Sequence, residues 1–146
     1  MKTLRDILLV EDSLKDAELT ISALADLHLT NKIVHARDGV AALDYLDRRG
    51  EFEHRSEGHP AFILLDLKMP RMNGLEMLRH VKGDSALRCI PIVMLTSSRE
   101  ESDMVESYCL GVNAYVVKPV DFEQFIAAVN DIGAFWAVVN EPPPNS

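Results

Sequence analysis

Five short apolar runs punctuate the chain at regular intervals: Ile7–Val10, Ile33-Val34, Phe62–Leu65, Ile92–Leu95 and Tyr115–Val117. Most are bounded by turn-forming or charged residues, and four are rich in Ile, Val or aromatics. Unbroken apolar runs of this kind predict strands buried on both faces. The longer stretches between them carry helical spacing. Leu14, Ala17, Ile21, Leu24 and His28 recur at steps of three or four, as do Val40, Leu43 and Leu46. Phe122, Phe125, Ile126, Val129, Ile132 and Trp136 form the widest stripe; each set predicts one core-facing side of a helix.

Helix boundaries agree with this division. Ser13, Asp38 and Asp121 each precede a periodic stretch, where a short polar side chain can cap the first free amides. Asn73-Gly74 opens a third helix running to about Gly83. A fourth runs from Glu100 to about Leu110, with Gly111 as its left-handed C-terminal cap. Strand and helix thus alternate five times, which predicts an α/β fold with one doubly wound, five-stranded parallel sheet. Right-handed crossovers leave few topologies, of which the order 2-1-3-4-5 is the commonest.

Two segments depart from the rhythm. Residues 50–60 read GEFEHRSEGHP, longer than an ordinary helix-to-strand connection. We read this as a tolerated surface insertion, with an excursion used in binding as the alternative. Residues 141–146, EPPPNS, cannot continue a helix and predict an extended tail beyond one domain of residues 1–140.

Composition narrows the class. With 146 residues, 47% of them hydrophobic and 26% charged, the chain suits a single globular domain with an ordinary core. Fifteen Lys+Arg against 23 Asp+Glu give a net charge of −8, a poor match for nucleic acid or anionic lipid. The partners expected are proteins or small molecules. Cys89 and Cys109 are too few for a disulfide framework and predict two buried or half-buried thiols in a reducing compartment. The apolar run after Lys2 and Arg5 ends at Glu11-Asp12, too short for a signal peptide or a spanning helix. A cytoplasmic protein is the expectation.

The chemistry lies at the strand ends. Glu11 and Asp12 follow the first run, Asp66 the third, Thr96 the fourth and Lys118 the fifth. Open α/β sheets bind ligands beyond the carboxyl ends of their strands, where the strand order reverses. Order 2-1-3 puts Glu11, Asp12 and Asp66 in one crevice, with Thr96 and Lys118 at its rim. Crowded carboxylates repel one another unless a cation is present. Oxygen ligands without His or Cys favour a hard ion, and Mg²⁺ fits best. A metal and an ammonium facing a carboxylate suit capture of a phosphoryl group as an acyl phosphate. The Thr96 hydroxyl can donate to a phosphoryl oxygen. Asp66 is the nucleophile candidate because it ends the most apolar strand.

These residues resemble a known family. Val10-Glu11-Asp12, Leu64-Leu65-Asp66-Leu67-Lys68-Met69-Pro70 with Asn73-Gly74, Met94-Leu95-Thr96-Ser97 and Tyr115-Val-Val-Lys118-Pro119 look like the receiver domain of bacterial response regulators. The resemblance spans about residues 5–130 and implies the flavodoxin-like receiver fold. It implies that Asp66 accepts phosphate and that Asp12 and Asp66 ligate Mg²⁺ directly. By the same resemblance Glu11 acts on the metal mainly through water, and the Lys68 main-chain carbonyl completes the protein ligands. Thr96 and Lys118 match the phosphate-contacting hydroxyl and lysine, Tyr115 the aromatic switch partner of Thr96, and Pro119 a cis peptide.

The donor implied is a sensor histidine kinase. The long loop before the third strand and the aromatic-ended last helix resemble single-domain regulators encoded beside bacterial phytochrome kinases, which implies a bacteriophytochrome as that kinase. No DNA-binding or enzymatic segment is expected after the last helix, so output is expected through the face of the fourth helix, fifth strand and fifth helix, as a homodimer or partner contact. Phe135 and Trp136 can anchor that contact, or Trp136 continues the core stripe while Phe135 lies off it. A phosphatase of the haloacid-dehalogenase type also uses a strand-end Asp with Mg²⁺, but the place of its second Asp is held by Lys68. A flavodoxin-like mononucleotide binder is weaker still, because none of the seven glycines forms GxG. The expectation is a phosphoacceptor and not a turnover enzyme. His28, His35, His54, His59 and His80 carry little weight.

Overall fold

The computed structural model describes residues 5–26, 31–55, 58–118 and 123. Within them the order is β1 (Ile7–Val10), α1 (Leu14–Asp26), β2 (Ile33–Ala36), α2 (Gly39–Asp47), β3 (Phe62–Leu65), α3 (Gly74–Gly83), β4 (Ile92–Thr96), α4 (Glu101–Cys109) and β5 (Ala114–Val117). All five strands pair in parallel in the order β2-β1-β3-β4-β5, as the alternation of runs predicts. The expected fifth helix with its Asp121 cap, the stripe to Trp136 including Phe135, the Pro119 peptide, the 141–146 tail and His28 lie outside the described residues.

Alternation of side chains along each strand builds a core on both faces of the sheet. Leu8, Val10, Ile63, Leu65, Ile92 and Met94 face α2 and α3, meeting Leu43, Leu46, Met77, Leu78 and Val81. Ile7, Leu9, Phe62, Leu64, Val93 and Leu95 form the opposite face with Ala17 and Leu24 of α1. Ile7, Leu8, Phe62, Ile63, Leu64 and Ile92 are fully buried, each contributing roughly 1.5–3 kcal/mol of transfer free energy. β3 is the central strand, which fixes Asp66 in the middle of the carboxyl edge.

Caps fall where expected. Asp38 accepts from the Ala41 amide at 2.9 Å, Ser13 from the Asp16 amide at 3.2 Å and Asn73 from the Glu76 amide at 2.9 Å. Gly111, at φ 101°, stops α4, with its amide donating to the Tyr108 carbonyl at 3.0 Å.

Two expectations need correction. The buried side of α1 is Ala17, Thr20 and Leu24, whereas Leu14 is 65% and Ile21 36% exposed. Thr20 takes a core position that apolar patterning misses. Cys89 and Cys109 are exposed rather than buried; on α4 the buried residue is Ser107. Residues 50–55, in the segment read as a surface insertion, carry local structure of their own. Gly50–Phe52 form a 3₁₀ turn, and Phe52 meets the Tyr45 ring edge-on at 5.4 Å. The Arg55 guanidinium lies 4.0 Å from the centre of the same ring and donates to the Tyr45 carbonyl at 2.6 Å.

Candidate functional site

Register brings the acids together. Val10 pairs with Leu65, so the residues that follow them stand side by side, and the Asp66 amide extends the ladder to the Val10 carbonyl at 3.0 Å. Oxygens of Glu11, Asp12 and Asp66 all lie within 4.8 Å of one another. Glu11 and Asp66 are buried and Asp12 is exposed. A trio of carboxylates with no nitrogen or sulfur donor is chemistry for a hard divalent cation, and the residues present fit one.

Lys118 closes the site from β5. Its amide donates to the Thr96 carbonyl at 2.8 Å, carrying the chain one step past the strand. The Lys118 ammonium hydrogen-bonds Glu11, donates to Asp16 Oδ2 at 3.0 Å and stands 3.7 Å from Asp66 Oδ2. Burial pushes the Glu11 carboxyl up to about 7, with Lys118 opposing and Asp66 adding to the rise. Burial disfavours the Lys118 ammonium, yet Glu11, Asp66 and Asp16 outweigh it and leave its pKa raised. Without a further cation, the pocket holds more negative charge than one lysine balances.

The loop after β3 is fixed from both sides. Gly74 packs so closely that a Cβ there would stand 2.3 Å from the Asp66 carbonyl oxygen, and its amide donates to Leu67 O at 2.7 Å. Arg71, at φ 62°, forks onto Asp38 at 2.7 and 2.9 Å. That guanidinium, against the opposing effect of burial, holds the Asp38 carboxyl below the usual carboxylate range. Lys68 lies inside this clamped segment, and its side chain is exposed.

Thr96 is 1% exposed, and its Oγ1 accepts from the Ser98 amide at 3.2 Å. Tyr115 donates its hydroxyl to the Ser98 carbonyl at 3.1 Å, and Ser98 Oγ donates to Asp103 at 2.6 Å. The structure therefore gathers Glu11, Asp12, Asp66 and Lys118 in one cluster and ties Thr96 to Tyr115 through a single residue.

Asp16, His35, Ser98 and Asp103 escaped sequence reasoning. His35 Nε2 is 2.6 Å from the Glu11 carbonyl, which can only accept, so this ring nitrogen carries the proton. A polar residue within β2 was the one available signal for His35.

Residues 7–130 match the response regulator receiver domain model. The chain belongs to this family. As a receiver it serves phosphorylation-dependent signalling, in agreement with the motif resemblance. Among solved structures, the bacteriophytochrome response regulator RtBRR is 62% identical with a TM-score of 0.85, the match covering 99% of this chain and 87% of that one. AtBRR, another bacteriophytochrome response regulator, is 58% identical over 96% of this receiver and 100% of its own chain, with a TM-score of 0.87. Response regulator Rcp1 of Synechocystis is 38% identical over 89% of this receiver and 87% of that protein. A Mn²⁺-bound form of Rcp1 has been solved; it is 37% identical, covers 95% of this receiver and 99% of its own chain, and superposes with a TM-score of 0.76. The receiver shares its fold with a family whose members take phosphoryl groups from histidine kinases.

Proposed function

We propose that this receiver accepts a phosphoryl group on Asp66 from a sensor histidine kinase, with Mg²⁺ held by Asp12, Asp66, the Lys68 main-chain carbonyl and, through water, Glu11. The observation that carries the reading is the convergence of three carboxylates within 4.8 Å with the Lys118 ammonium 3.7 Å from Asp66. An Asp66 oxygen bonds to phosphorus as the phosphorus–nitrogen bond of the kinase phosphohistidine breaks, its electron pair remaining on the imidazole. Bound Mg²⁺ supplies the positive charge that keeps the acids ionised and offsets the phosphoryl oxygens. Lys118 adds a fixed charge beside them. Among the described residues Thr96 Oγ1 accepts from Ser98 and donates to none, so its own hydrogen can be offered to a phosphoryl oxygen.

Thr96 and Tyr115 act as the switch pair because both bond the Ser98 backbone. Output leaves through the α4–β5 side, together with the fifth helix expected from the sequence, as a homodimer or partner contact; exposed Val105 and Tyr108 on α4 support this. The likeness to two bacteriophytochrome response regulators supports a bacteriophytochrome as the kinase, and a cytoplasmic setting follows from that role. The fixed Lys68, where a dehalogenase-type phosphatase needs an acid, supports a phosphoacceptor rather than a turnover enzyme. Incubation with Mg²⁺ and acetyl phosphate tests the site. Wild type should gain one alkali-labile phosphoryl group and Asp66→Asn none; equal labelling of the two would end the assignment.

A further inference from the structure

We propose that Asp16 is a positioning residue for phosphotransfer: it holds the Lys118 ammonium against the first turn of α1 and so restrains the charge available to an incoming phosphoryl group. The inference rests on the reading of Asp66 as phosphoacceptor.

Lys118 Nζ lies 3.0 Å from Asp16 Oδ2, a full hydrogen bond, and 3.7 Å from Asp66 Oδ2, beyond that range. The ammonium is thus bonded toward α1 and only electrostatically attracted to Asp66. Three carboxylates, Glu11, Asp16 and Asp66, face this one positive charge. Asp16 differs from the other two in two respects. It is not one of the three acids that converge within 4.8 Å, so it stands outside the group suited to a metal ion. Its side chain is 40% exposed, against 2% for Glu11 and 10% for Asp66. Water can therefore replace Lys118 at Asp16 with little penalty, whereas the buried Glu11 has no such substitute. Asp16 is the contact that Lys118 can release.

In the transfer from acetyl phosphate, an Asp66 oxygen bonds to phosphorus while the bond from phosphorus to the acetate oxygen breaks. Acetate leaves with the electron pair, and no proton moves. Charge on the phosphoryl oxygens must then be met by Lys118, and Asp16 competes for the same ammonium. Removing the Asp16 charge frees Lys118 for the phosphoryl group. For a half-exposed pair the gain in rate is roughly two- to five-fold.

The test follows labelling by acetyl phosphate at saturating Mg²⁺ and fixed ionic strength, with affinity for beryllium fluoride as a second reading that needs no turnover. Asp16→Asn and Asp16→Ser should both label faster and bind the fluoride more tightly than wild type, while Asp16→Glu returns to the wild-type values. In a Lys118→Met background, Asp16→Asn should change neither reading. Persistence of the gain without Lys118 would mean that Asp16 acts only as a remote charge, and would overturn the proposal. So would a slower Asp16→Asn with a lowered melting temperature, the mark of a purely structural contact. Labelled wild type with unaltered Asp16 variants would sink this inference alone, whereas unlabelled wild type would remove the Asp66 reading with it.

Discussion

Replacing Gly74 by alanine separates two effects of opposite sign. Helix propensity alone favours alanine over glycine by up to about 1 kcal/mol. Packing says the reverse. The new methyl carbon would lie 2.3 Å from the Asp66 carbonyl oxygen and 2.8 Å from Leu67 Cα, where ordinary contact begins at 3.4 Å. Helix α3 and the strand-end loop must therefore part by about 1 Å, and both partners are backbone that cannot rotate aside. Overpacking of this kind costs about 1–3 kcal/mol. The displaced Gly74 amide also loses its 2.7 Å bond to Leu67 O, worth roughly 1 kcal/mol more. Set against the propensity gain, the net expectation is a loss of about 1–3 kcal/mol. With a urea dependence of about 2 kcal/mol per molar, the unfolding midpoint should fall by roughly 0.5–1.5 M. The same shift moves Asp66 away from Glu11 and Asp12, so Mg²⁺ binding followed by calorimetry should weaken at urea concentrations where the variant remains folded. A midpoint equal to or above that of wild type would refute the close-packing argument.

Two further perturbations probe the clamps around the site. Asp38 has a folded-state pKa below its unfolded value, so its stabilisation is present at neutral pH and disappears as pH falls through the folded value. Asp38→Asn should retain a cap on α2 yet flatten the acid limb of urea midpoints measured from pH 7 to pH 3; an unchanged acid limb would count against the Arg71 pairing. Arg55→Ala removes the ring contact and the carbonyl bonds that fasten residues 50–60 to α2, costing about 1–2 kcal/mol. Limited proteolysis should then cut that segment faster, and equal cleavage rates would show that Arg55 does not fasten it.

The sheet was legible in the sequence because its strands are continuous apolar runs, and strand order then followed from connection rules. The positions of Glu11, Asp12, Asp66, Thr96 and Lys118 were legible for the same reason: each closes a buried strand or stands one or two residues past its end. Asp16 was not, because it stands in a helical turn 102 residues from the lysine it binds, where an acid is an ordinary first-turn residue. His35 was equally silent, since its role depends on a carbonyl of the neighbouring strand. On α1, stepping by three or four from Leu14 selected Ile21, while the true buried line passes through Thr20, whose hydroxyl disguises it. Exposure of both thiols was hidden because a cysteine's type says little about which side of an element it occupies.

Ser98 offers its amide to Thr96 and its carbonyl to Tyr115, so one peptide segment answers to both side chains. If the two side chains form the proposed switch, a molecule that prefers one arrangement of the tyrosine side alters the free energy of events on the threonine side, and thermodynamic reciprocity makes the influence mutual. On that reading a listener bound at the surface is also a participant: by holding this segment in one arrangement, it would change how long the message at the pocket endures.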